Sequence, residues 1–282
     1  MENQLAISVR GLRKAYGDNV AVGGLDLEVA RGEVFALLGP NGAGKTTTVE
    51  ILEGFRQRDA GEVSVLGVDP ARPSQAWRNR VGIVLQGTGE FDDLTVAEVV
   101  HHFAGFYAAP EDPDKVIARV GLTEKARART HSLSGGQKRR LDVALGIVGQ
   151  PELLFLDEPT TGFDPEARRE FWDLIRDLAA AGTTIVLTTH YLDEAEALAD
   201  RVGVITGGRL VEVSTPDRLG DRHEALATVS WRTPEGAVER WESATPTALV
   251  AELAARYGGE VPGLTVTRPT LEDVYLRMIG QR

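Results

Sequence analysis

Gly39-Pro40-Asn41-Gly42-Ala43-Gly44-Lys45-Thr46 decides how the rest of the chain is read. These residues satisfy the spacing G-x-x-x-x-G-K-[ST] and lie between an apolar run, Val34 to Leu38, and a segment of helical character that begins near Lys45. In that context the stretch reads as a phosphate cradle. Its glycines let successive backbone N–H groups turn inward, and the N-terminus of the following helix favours negative charge. Lys45 is expected to reach the β and γ oxygens of a nucleotide, Thr46 to offer its hydroxyl to Mg²⁺, and Thr47 to help hold a phosphate. Taken alone, the motif specifies a nucleotide and leaves the reaction open.

Outward from this loop, short apolar runs alternate with segments of helical period up to about residue 213, the pattern of an α/β domain with a largely parallel sheet. Strands are predicted at Val34 to Leu38, Val81 to Leu85, Leu153 to Leu156 and Thr184 to Thr188. Helices are predicted at Val96 to Tyr107, Gln137 to Val148, Pro165 to Ala181 and Leu192 to Ala199. Leu5 to Val9 and Val20 to Val29 suggest an antiparallel flap ahead of the main sheet, and Val202 to Val213 a hairpin turning at Gly207-Gly208. The pattern changes near Thr215-Pro216, which divides the chain into residues 1–220 and a small α+β appendage, 221–282. Its strands are expected at Ala227 to Trp231 and Leu264 to Thr267, its helices at Pro246 to Tyr257 and Pro269 to Ile279.

A second chemical element ends the run Leu153-Leu154-Phe155-Leu156-Asp157-Glu158. Asp157 is placed to hold Mg²⁺ through water and Glu158 to polarise an attacking water. With the phosphate loop upstream, both elements are expected at the carboxyl ends of neighbouring strands. Between them stands Leu133-Ser134-Gly135-Gly136-Gln137, followed by a helical stretch in which Ser134 can cap free N–H groups. An S-G-G by itself is often an ordinary cap beside a flexible pair. Its order and spacing here are more specific.

With these elements in this order, residues 5 to 213 resemble the ATP-binding subunits of ABC (ATP-binding cassette) transporters. The resemblance implies a P-loop NTPase fold with a mainly parallel core sheet, an antiparallel N-terminal β subdomain and a helical subdomain. It implies two cassettes packed head to tail, as a homodimer or a heterodimer, with Ser134, Gly135, Gly136 and Gln137 of one copy closing over the ATP held at Lys45 of the other. Tyr16 resembles the aromatic that stacks on adenine, Gln86 a contact to Mg²⁺ or the attacking water, and His190 a switch histidine beside the γ-phosphate. Asp164, in Thr161-Gly162-Phe163-Asp164-Pro165, resembles a residue that faces the opposite site. Phe163 stands where the family usually has leucine, which adds volume at an apolar position. Arg139 and Arg140 are expected on a solvated helix face or in outer contacts of the site.

The stretches Phe91 to Glu98 and Pro269 to Gly280 further resemble the exporter branch typified by daunorubicin-resistance ATPases. That branch works with a separate membrane permease, so export of a drug, antibiotic or lipid-like molecule is the leading expectation. Export of a polysaccharide or ions, and ATPase work on ribosomes or nucleic acid, are the alternatives. A formal net charge of −11 argues against extensive sequence-independent nucleic-acid binding, which needs clustered Lys and Arg. The absence of cysteine excludes disulfides, thiolate metal sites and a cysteine nucleophile. With no apolar run of about 18 residues and no leader at Met1 to Gln4, the expected place is the cytoplasmic face of a membrane, held there by the permease. The preference for Arg over Lys fits a bacterial source.

Overall fold

Strand β1 (Leu5–Tyr16) and strand β2 (Asn19–Ala30) form a long antiparallel hairpin. The sequence predicted only Leu5 to Val9 of β1, because Arg10 to Lys14 breaks the apolar alternation. Register shifts between Val9 and Leu12 and between Leu12 and Arg13 let pairing continue through the charged stretch and return Leu12 to the buried face. The computed structural model describes residues 4–84, 91–222 and 224–280.

Strand β3 (Val34–Leu38) is buried throughout and leads through the glycine loop into helix α1 (Lys45–Leu52). Strand β4 (Ala60–Val65) then returns to β1, giving a three-stranded sheet in the order β2-β1-β4. After the short helix α2 (Gln75–Arg78) comes strand β5 (Val81–Val84). Helices α3 (Val96–Ala104), α4 (Pro113–Arg119) and α5 (Gly135–Ile147) pack on one another. Helix α3 stops short of the expected Tyr107, because Gly105, Phe106 and Tyr107 each bond back three residues and tighten into turns.

Strand β6 (Leu153–Asp157), helix α6 (Pro165–Ala180), strand β7 (Thr184–Thr189), helix α7 (Leu192–Leu198) and strands β8 (Arg201–Thr206) and β9 (Arg209–Ser214) complete the core. Its six-stranded sheet runs β5-β6-β7-β3-β8-β9, in which β5, β6, β7, β3 and β8 pair in parallel. One hydrophobic cluster joins both sheets, from Ile7, Leu12 and Leu25 through Ile51 and Leu52 to Phe35, Phe155 and Val186. Each such fully buried side chain stabilises the fold by roughly 1.5–3 kcal/mol before entropy is counted. These elements make up a first compact unit, residues 1–213.

The second unit, residues 214–282, has strands β10 (Ala227–Arg232), β11 (Val238–Ser243) and β12 (Thr265–Thr267) in the antiparallel order β11-β10-β12. Val229 and Trp231 of this sheet pack with Val261 and with Leu253 of helix α8 (Pro246–Tyr257). Helix α9 (Leu271–Gly280) buries Leu271, Val274 and Tyr275, while Met278 is only half-buried. A side chain at Gly220 would meet Val274 at 2.3 Å. Among the described residues no helix is long and apolar enough to cross a membrane.

Candidate functional site

The phosphate loop is shaped by what surrounds its glycines. A Cβ on Gly39 would lie 2.4 Å from the carbonyl oxygen of Ile205, and one on Gly44 would lie 2.4 Å from that of Ala21. Gly44 also has φ +104° where it caps α1, a conformation that L side chains rarely adopt. Asn41 and Gly42 are exposed at the crest, and Ala43 N–H donates to the Pro40 carbonyl at 3.2 Å. Thr46 is exposed and Thr47 half-buried.

Lys45 is 6% exposed and folds back over its own loop, donating to the carbonyl oxygens of Gly39 (2.7 Å) and Pro40 (3.2 Å). Burial pushes its ammonium pKa below the usual lysine value, opposed by the negative charges of Glu158 and Asp157. The two acids thus belong to the electrostatic surroundings of the loop.

They do not sit on a strand next to β3, as the sequence suggested. Strand β7 lies between β6 and β3, and its register sets Thr188 beside Asp157 and Thr189 beside Leu38. The inserted strand supplies the polar contacts that organise the pair. The Thr188 hydroxyl donates to Asp157 Oδ1, and Glu158 N–H donates at 3.1 Å to both the carbonyl and the hydroxyl oxygen of Thr188. Glu158 itself adopts φ +43°, a left-handed conformation uncommon for a residue with a side chain. Its Oε1 lies 3.2 Å from His190 Nδ1, and Oε2 accepts a hydrogen bond from Thr161 Oγ1 at 3.3 Å. His190 in turn rests against Tyr191, with ring centroids 4.1 Å apart. Lys45, Asp157, Glu158 and His190 are therefore gathered at the carboxyl ends of β3, β6 and β7. Gln86 lies outside the described residues.

A family model described as ABC transporter matches residues 22–161. A daunorubicin resistance ATP-binding protein of Streptomyces coeruleorubidus is 39% identical, over 98% of this chain and 96% of its own length. The Nod factor export ATP-binding protein I of Ralstonia nicotianae is 38% identical, over 98% of this chain and 94% of its own. The chain belongs to the ATP-binding subunits of ABC transporters. Among solved structures, cbiO1 from Clostridium perfringens, part of the ABC transporter complex cbiONQ, shares 31% identity with a TM-score of 0.70 over 76% of this chain and 90% of its own. The cassette is accordingly an ATP-binding, ATP-hydrolysing enzyme with the P-loop α/β fold.

The other predicted residues of this ABC cassette sit on separate elements. Tyr16 ends β1, 41% exposed, with the Lys14 ammonium 5.5 Å and the Arg56 guanidinium 5.2 Å from its ring centroid. Ser134 caps α5 in a reciprocal box. Gln137 N–H donates to Ser134 Oγ at 3.3 Å, and Ser134 N–H donates to Gln137 Oε1 at 3.1 Å. Ser134 and Gly135 are exposed, and Gly136 is half-buried. Asp164 caps α6, accepting from the backbone N–H groups of Glu166 (3.0 Å) and Ala167 (2.8 Å). The added volume of Phe163 is accommodated edge-to-face on Phe171, at a centroid distance of 5.6 Å.

Arg139 takes the second of its two expected places, an outer contact of the site, and not the solvated helix face. It is 7% exposed and donates to main-chain oxygens beside the acid pair, whereas Arg140 reaches Glu170 at the surface. Thr188 was missed, although the run Thr188-Thr189-His190 marks a polar strand end that a buried parallel strand does not need. Glu194 is fully buried and accepts from Thr160 Oγ1 at 2.9 Å, and burial raises its carboxyl pKa. Its place in a helix period, four residues after His190, gave no sign of this.

Proposed function

We propose that this subunit powers export of a substrate through a separate membrane permease, with residues 1–220 as the ATP-binding domain and 221–282 as an accessory domain. The observation that carries the hydrolytic part is the Glu158 carboxylate, held between His190 and Thr161 on a backbone bonded to Thr188, beside the loop that contains Lys45. Export is supported by the two relatives named above, a daunorubicin resistance protein and a Nod factor exporter. A drug, antibiotic or lipid-like molecule is the substrate class we favour.

ATP would lie with its phosphates over residues 39–47 and its base on Tyr16. Lys45 exchanges the carbonyls of Gly39 and Pro40 for β and γ phosphate oxygens, which restores the compensation its buried charge requires. Thr46 and Asp157, with Gln86 as the sequence resemblance adds it, would offer Mg²⁺ hydroxyl, carboxylate and amide oxygens, the donor chemistry that suits an ion bound mainly through nucleotide phosphates and water. When bound, Mg²⁺ neutralises charge on the terminal phosphates. Glu158 accepts a hydrogen bond from the attacking water and orients it, while His190 fixes the carboxylate and contacts the γ-phosphate. Ser134, Gly135, Gly136 and Gln137 of a second cassette, with its Asp164 at the interface, complete the site from across a head-to-tail dimer. Loss of the γ-phosphate then removes contacts to both cassettes and reopens the dimer, which moves the permease. The assembly works at the cytoplasmic face of a bacterial membrane.

The test compares wild type with Glu158→Gln, which keeps size and removes the carboxylate. Turnover should fall on the order of 10²- to 10⁴-fold, with an ATP-bound dimer accumulating by mass measurement. Unchanged turnover would remove Glu158 from the mechanism.

A further inference from the structure

We propose that Arg139 is a positioning residue for hydrolysis: its guanidinium grips the peptide carbonyls on either side of Glu158 and fixes the backbone from which that carboxylate projects. The inference rests on the catalytic reading of Glu158 given above.

Arg139 lies on α5, shortly after the Ser134 cap, and is buried at 7% exposure. Its Nη2 donates to the carbonyl oxygen of Asp157 at 2.6 Å and its Nε to that of Pro159 at 3.1 Å. Nη1 lies 3.7 Å from Asp142 Oδ2, on the next turn of the same helix. The contacts to Asp157 and Pro159 therefore bracket Glu158, one carbonyl before it and one after.

The bracketed residue is the one that needs holding. At φ +43°, Glu158 occupies a region that a residue with a side chain enters only when its surroundings impose it. Strand β7 holds the Asp157–Glu158 peptide from one side through Thr188, and Arg139 holds the same peptide from the α5 side together with the Pro159 carbonyl beyond it. A planar guanidinium presents N–H donors at fixed angles, so it can span two carbonyls at once; an ammonium lacks that fork. Apolar residues would fill a merely structural position without the desolvation cost of a buried charge. The clamp also ties the helix that begins at Ser134 to the carboxylate of the same protomer, so a shift at the start of α5 reaches Glu158 directly.

The experiment uses the full chain and five variants: Arg139→Met, Arg139→Met combined with Asp142→Leu, Arg139→Lys, Glu158→Gln, and Arg139→Met combined with Glu158→Gln. The paired substitution removes both buried charges, so the fold is not left with an unpaired carboxylate. Thermal unfolding, amide hydrogen exchange at Glu158, and kcat and KM for ATP are measured for each. The paired variant should unfold within a few degrees of wild type, as a replaced buried ion pair often does. It should also exchange the Glu158 amide at least about tenfold faster and lose on the order of 10²-fold in kcat, the scale of a roughly 1 Å misplacement, with KM nearly unchanged. Arg139→Lys should recover stability without recovering kcat. Adding Glu158→Gln to Arg139→Met should cost little more than Glu158→Gln alone, because residues acting as one unit are not additive.

Wild-type kcat and exchange in the stable paired variant, alongside an inactive Glu158→Gln, would overturn the clamp and leave the role of Glu158 intact. Full recovery of kcat by lysine would overturn the two-carbonyl grip. Turnover persisting in Glu158→Gln would instead remove the catalytic reading on which the clamp depends.

Discussion

Glu53 follows the last turn of α1, in the same unit as the acid pair, with 8% of its surface exposed. Burial, joined by repulsion from Asp157 and Glu50, pushes its carboxyl pKa up from 4.5 to about 7. The folded protein therefore holds this proton more tightly than the unfolded chain does. Stability is highest with the acid protonated, declines as pH rises from about 4.5 to about 7, and levels off above that. At about 1.36 kcal/mol per pKa unit, the gap amounts to about 3 kcal/mol at full ionisation, an upper bound. Glu53→Gln reproduces the neutral acid, so it should stabilise the cassette by about 2–3 kcal/mol at pH 8 and by less than about 1 kcal/mol at pH 5. Urea unfolding without nucleotide, at both pH values, reads the difference directly. Equal stabilisation at the two pH values, or a loss at pH 8, would refute the assignment of a buried carboxyl that ionises against its surroundings.

Thr188→Val keeps the shape of β7 but removes the hydroxyl that donates to Asp157 and accepts from the Glu158 amide. It should cost about 1–3 kcal/mol in stability and lower kcat more than it raises KM, and a loss below about 0.5 kcal/mol would show the hydroxyl to be dispensable. Lys45→Met removes a buried ammonium together with its bonds to two carbonyls, so nucleotide-free stability should change by no more than about 1 kcal/mol while the rise in Tm on adding ATP disappears. An undiminished shift with ATP would mean that Lys45 does not hold the phosphates.

The sequence by itself determined the chemistry and most of the frame. A phosphate loop needs glycine where backbone must pass within contact of backbone, and at Gly39 and Gly44 any side chain would strike a carbonyl, so residue identity alone carries that information. The buried strands β3, β6 and β7 were readable because parallel strands covered on both faces are continuously apolar. Ser134 announced a helix start through the short-range rule that a cap lies two or three residues before the N–H it accepts, and Asp164, read only as an interface residue, obeys the same rule. Strand order was not local in this way. Nothing in β6 or β3 says that β7 runs between them, and that insertion brings Thr188 to Asp157 and His190 to Glu158. Arg139 was left open between a solvated face and an outer contact of the site for the same reason: a charged residue on a helix is ordinarily solvated, and only its contacts to the end of β6 and to Pro159 show it turned inward to two peptide carbonyls. Local pattern fixes which groups a segment offers, and tertiary contact fixes which distant groups they meet.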